Sequence, residues 1–137
     1  MSDTLLASIA GLPSFVSFFV LAILLLLLFA RIYSWLTPHD EFALIRANNT
    51  AAAIAFAGAL IGFALPLSSA ITHSQSFADC AIWGAIALVV QLLTFVVVKV
   101  TLRHLPERIS AGEIASGIFM ASSAIAVGLI NAASMTY

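Results

Sequence analysis

Leu24-Leu25-Leu26-Leu27-Leu28 lies inside a stretch, Thr4 to Ala30, that contains no charged side chain. A helix needs about 20 predominantly apolar residues to cross the hydrocarbon core of a bilayer, and this stretch exceeds that length. Three further uncharged stretches follow: Ala47 to Thr72, Cys80 to Val98 and Ile114 to Tyr137. Each is close to a full crossing or longer. The reading is an all-α membrane protein, one membrane domain over 1–137, with four spans. They are placed at about Pro13 to Trp35, Asn49 to Ile71, Ala78 to Leu102 and Gly112 to Ser134. The leucine-rich first span is the expected lipid-facing wall.

Composition agrees. Apolar residues make up 63% of the chain and charged residues 8%, against about a quarter charged in soluble domains. A soluble fold of this size leaves too much surface exposed to accommodate that composition, so the solvent must be lipid. A net charge of −1 gives no footprint for nucleic acid. The single cysteine, Cys80, excludes an internal disulfide. Asp3 before the first apolar run and Arg31-Ile32-Tyr33 after it argue against a cleaved signal peptide, which carries cations before the run and small residues after it.

The cations set the expected orientation. Arg31 and Arg46 flank the first loop, Lys99, Arg103 and Arg108 flank or occupy the third, and the rest of the chain has no Lys or Arg. Positive charge in short loops marks the cytoplasmic side. Loops 37–48 and 103–111 are therefore expected in the cytoplasm, and both termini in the periplasm.

The spans also read as two tandem hairpins, 13–71 and 78–134. A shift of 64 residues matches Ala51 with Ala115, Ile54 with Ile118, Ala57 with Ala121, Ile61 with Ile125 and Leu65 with Leu129. A shift of 66 instead aligns Ala51, Ala55, Gly58 and Gly62 with Gly117, Ala121, Ala124 and Gly128. The two registers differ by more than half a helical turn, so a parallel repeat is read without a register. Small residues let helices approach closely in lipid, where the hydrophobic drive for association is weak. Gly58 and Gly62, with Gly117, Ala121 and Gly128, mark the second and fourth spans as the packed interior.

Polar groups within the membrane are functional candidates by default. Gln91 falls near the middle of the third span and Asn131 within the fourth; each either lines a solvated path or bonds to a neighbouring helix. Pro66 removes the hydrogen bond to the Gly62 carbonyl, predicting a kink, with Ser68 and Ser69 beside it. In the first loop Thr37 can cap a short interfacial helix with Pro38 in its first turn, placing Phe42, Ile45 and Asn49 on one side. His39 with Glu41 supplies two ligand types but no third, too few for a metal. Glu107 and Glu113 can pair with Arg103 or Arg108. No nucleophile-base-acid set, phosphate loop or His/Cys cluster is present, so neither enzymatic activity nor a cofactor is expected.

Several segments carry a resemblance: Thr37-Pro38-His39-Asp40-Glu41; Ile45-Arg46-Ala47-Asn48-Asn49-Thr50-Ala51-Ala52; Gly58-Ala59-Leu60-Ile61-Gly62 with Pro66-Leu67-Ser68-Ser69-Ala70; Trp83 to Leu93; and Asn131-Ala132-Ala133-Ser134-Met135-Thr136. The chain resembles the YjfL-like bacterial inner-membrane proteins, a family defined by a domain of unknown function. The resemblance implies four spans built from two hairpins, in the inner membrane. It implies no activity; some members are encoded near envelope-stress proteins or ATP-grasp ligases. Two readings of function follow. One is a self-assembling structural component, a homo-oligomer offering its cytoplasmic loops to a protein partner. The other is a small oligomeric channel or transporter with a path near Gln91 and Asn131.

Overall fold

The computed structural model describes residues 2–38 and 40–135, and among these it is entirely helical. Seven helices follow in order: α1 (Ser2–Ile9), α2 (Leu12–Leu36), α3 (Glu41–Arg46), α4 (Thr50–His73), α5 (Phe77–Thr101), α6 (Leu105–Ser110) and α7 (Ile114–Ser134). Four stretches are long and apolar enough to cross a membrane, the first being α1 and α2 taken together. Helices α2, α4, α5 and α7 match the four expected spans to within two residues at each end, while the first apolar stretch begins earlier, at Ser2. Two short helices go beyond the expected spans: α1, separated from α2 at Ala10 and Gly11, and α6, which lies within the loop expected over 103–111.

Local chemistry explains the boundaries. Pro13 sits in the first turn of α2, where an N–H would have no partner. Asn49 caps α4 by accepting from the Ala52 N–H at 3.0 Å. Ser76 caps α5 by accepting from the Asp79 N–H at 3.1 Å, and the Asp79 carboxylate accepts from the Gln75 N–H at 3.0 Å. Each bond satisfies a backbone donor at the turn that starts α5. The short helix α3 is capped by Asp40, whose side chain accepts from the Ala43 N–H. This corrects the expectation that Thr37 is the cap. Thr37 instead ends α2, and its hydroxyl bonds Glu41.

Contacts fix the helix directions. Phe29 stacks on Phe63 at 4.9 Å and Tyr33 meets Phe56 at 5.9 Å, so α2 and α4 are antiparallel. Phe18 meets Phe77 at 6.1 Å and Tyr33 meets Phe95 edge-on at 5.0 Å, so α2 and α5 run the same way. Ala51 meets Gly117, Gly58 meets Ala121 and Gly62 meets Gly128, so α4 and α7 are also parallel. All five Lys and Arg therefore gather at the end of the bundle that carries α3 and α6.

α4 occupies the centre and uses two kinds of packing. Toward α2 and α5 it presents Phe56 and Phe63 to an aromatic cluster, where each ring pair contributes about 0.5 to 1.5 kcal/mol beyond its buried area. Toward α7 it presents backbone. A Cβ added to Gly128 would lie 2.2 Å from the Gly62 carbonyl oxygen, and one added to Gly117 would lie 2.5 Å from that of Ala51. One on Gly58 would lie 2.3 Å from the Ala121 Cβ. α2 is the outer wall: of its residues only Phe29 and Tyr33 are buried.

The turns into α4 and α7 share one hydrogen-bond pattern. In the first, the N–H groups of Ala47, Asn48 and Asn49 donate to the carbonyls of Ala43, Ile45 and Leu44. In the second, 64 residues later, Ala111, Gly112 and Glu113 donate to Glu107, Ile109 and Arg108. Asn48 at φ 66° and Gly112 at φ 85° take the left-handed conformation that ends each short helix.

Overpacking predicts a ranking of glycine substitutions. Gly128→Ala and Gly117→Ala each force backbone apart and should cost about 1 to 3 kcal/mol or more. Gly11→Ala, whose Cβ would meet only the Ser8 carbonyl oxygen at 3.7 Å, should change stability by less than about 1 kcal/mol. Thermal unfolding of the purified variants in detergent measures the order.

Candidate functional site

Polar side chains gather at two levels. The first is where α4, α5 and α7 meet within the membrane. Proline at position 66 has no N–H to offer Gly62, and α4 nevertheless runs on through it. Gly128 of α7 lies directly against the Gly62 carbonyl, which lacks its usual donor four residues on, an approach only glycine permits. Gln91, 3% exposed, donates from Nε2 to the Ala124 carbonyl at 3.1 Å. Its Oε1 accepts a long bond of 3.5 Å from Asn131. Ser69 donates to the Ala132 carbonyl at 2.9 Å, tying the C-terminal halves of α4 and α7 together. Gln91 is thus directed into the chain's own bundle, and Asn131 is turned toward it.

The second level is the cationic end. Tyr33, Thr37 and Glu41 are all buried there, and Glu41, 2% exposed, accepts from the Thr37 hydroxyl. A carboxyl group withdrawn from water survives only with such partners. Asn49 does more than cap α4: its Nδ2 donates to the carbonyls of Ile109 at 3.3 Å and Ser110 at 3.0 Å. One side chain therefore joins the start of α4 to the end of α6. Glu113 precedes α7 without capping it and faces Arg108 at 3.8 Å. Both are well exposed, and such a pair typically contributes less than about 1 kcal/mol.

The other residues singled out from sequence divide as follows. Asn48 is exposed in its left-handed turn, Ser68 is exposed on α4, and His39 lies outside the described residues. Ser69 lies 3.3 Å from His73 Nδ1, but Asp79 is engaged in capping α5. Among the described residues no group of three His, Cys, Asp or Glu could hold a metal. The sequence reading missed α6 and the burial of Thr37 and Tyr33. The signal for α6 was present: Pro106 in a first turn, with Leu105 and Ile109 one helical turn apart and both buried.

The arrangement holds helices together. Its strengths can be ordered. Asn49→Ala removes a cap, worth about 0.5 to 2 kcal/mol, and two further bonds of about 0.5 to 1.5 kcal/mol each. Gln91→Leu removes one good membrane bond, worth about 0.6 to 2 kcal/mol. Asn49→Ala should therefore lower the unfolding midpoint more than Gln91→Leu. Asn49→Asp, which keeps the cap but loses the donor to α6, should fall between Asn49→Ala and wild type.

Comparison with known proteins bears on this architecture. The chain is 44% identical over 127 residues to the UPF0719 inner membrane protein YjfL of Escherichia coli strain K12, covering 93% of this chain and 96% of that one. The protein of the same name from Escherichia coli O157:H7 matches to the same extent. No solved structure matches. The model of the Domain of Unknown Function (DUF350) matches residues 7–135. With four apolar helices long enough to span a membrane and a family match over nearly its whole length, this chain belongs to the DUF350 family.

Proposed function

We propose that this chain is a self-assembling structural component of the bacterial inner membrane, acting through contacts between helices and offering its cationic end to a cytoplasmic partner. One observation carries the proposal. α4 packs against the other three spans, and its outward face carries Ala57, Ile61, Ala64 and Ser68, three small residues around one isoleucine, all exposed. On α7, Ser122 and Ala126 are exposed in the same way. In lipid such stripes permit close approach of another helix backbone, whereas a face that meets only acyl chains can carry leucine and phenylalanine, as α2 does. The polar junction supports the same reading, since Gln91 is occupied within the bundle. The relatives named as inner-membrane proteins support the location.

In this reading the α3 and α6 end is cytoplasmic, because it holds every Lys and Arg, and both termini are periplasmic. Labelling with a membrane-impermeant maleimide tests the orientation in a Cys80→Ser background. Ser134→Cys should react in intact spheroplasts and Ser110→Cys only after lysis; the reverse pattern overturns the topology.

Assembly is tested by cross-linking in native membranes. Wild type should give a defined multimer. Ala64→Leu, whose side chain points away from the bundle, should reduce that multimer by more than half while leaving monomer unfolding unchanged. A wild-type chain that stays monomeric, or an Ala64→Leu variant that assembles normally, sinks the proposal.

A further inference from the structure

A groove of about 520 Å³ opens between α2 and the start of α3, at the cationic end of the bundle. Its α2 wall changes character turn by turn, from Leu27 to Arg31 to Ser34. These residues are spaced by four and three, so they share one face. At a rise of ~1.5 Å per residue they cover about 10 Å along the helix. Beyond Ser34 the far wall brings in Asp40, which is exposed, and Glu41, which is buried against Thr37. Arg31 itself lies over the Trp35 ring at 5.4 Å, which holds its guanidinium at the groove rim.

The order along this wall is aliphatic, then cationic, then hydroxyl and carboxyl. A phospholipid with a primary amine presents the complementary order: acyl chain, phosphate, ammonium. The balance of charge selects the headgroup. One guanidinium faces two carboxyl groups, which disfavours an anionic headgroup. The exposed Asp40 carboxylate accepts hydrogen bonds, which a primary ammonium donates and a quaternary one cannot. Arg is the side chain best matched to phosphate oxygens.

We propose that this groove is a binding site for one aminophospholipid. Its phosphate sits on Arg31, its ammonium on the exposed Asp40 carboxylate, and an acyl chain lies along Leu27 and Ala30. Nothing in this assignment depends on self-assembly, so the lipid is counted per chain in monomer and multimer alike.

The test is native mass spectrometry of the full chain. The protein is purified in mild detergent after exchange into equal parts of phosphatidylethanolamine, phosphatidylglycerol and phosphatidylcholine. Wild type should retain one phosphatidylethanolamine per chain, in clear excess over the other two. Arg31→Gln and Asp40→Asn should each reduce that retention about tenfold, the effect of losing one charge-assisted hydrogen bond. Asparagine still caps α3, so Asp40→Asn tests the headgroup contact without unfolding the helix. Lys99→Gln, a cation at the same end but outside the groove, should leave retention unchanged. Retention that ignores the headgroup, favours phosphatidylglycerol, or falls equally in Arg31→Gln and Lys99→Gln overturns the proposal.

Discussion

In lipid, two apolar helices gain little by touching, since the acyl chains they displace are as apolar as they are. The gain must come from closer packing than lipid can achieve, and here it comes from the seam between α4 and α7. Glycine and alanine face one another along it, and backbone carbonyls lie against backbone carbons. The other helices are placed by that seam. α5 leans on both members of the pair through Gln91 and reaches α2 through Phe95 and Tyr33, while α2 lies outside. A residue larger than glycine at position 128 would part the seam where the proline-freed carbonyl of Gly62 needs covering.

The second constraint is that every backbone polar group in the membrane must find a partner inside the protein. Polar side chains in these spans answer mainly to that demand. Gln91 and Ser69 both donate to carbonyls of α7. At the bundle's cationic end Asn49 does the same for the Ile109 and Ser110 carbonyls at the end of α6. These residues are the ones sequence reasoning marks as functional, because a polar atom in lipid is costly whether it serves transport or packing.

The two short helices deserve the same reading. Both α3 and α6 end in a left-handed residue, Asn48 or Gly112, that turns the chain sharply into the next span. They bring Glu41 and Leu105 into buried positions at the end of the bundle, so this end is built from packed helices. The groove beside α3 exists because Asp40 starts that helix immediately beside the last turns of α2.

The sequence by itself determined the solvent, the number of spans and their approximate ends. Those follow from composition and from runs of uncharged residues, which are properties of the chain taken in order. It also marked the small residues at 58, 62, 117, 121 and 128, because helical spacing places them on one face of each span. What each of these residues meets was decided only by the tertiary structure. Whether Gln91 faces a lumen or a carbonyl depends on how α5 is rotated against α7, and no local spacing encodes that rotation. The cap of α3 fell to Asp40 rather than Thr37 because α3 starts only at Glu41, while Thr37 ends α2 and its hydroxyl bonds Glu41. The groove beside Arg31 was invisible for the same reason: its walls come from two helices whose approach is set by packing elsewhere in the bundle.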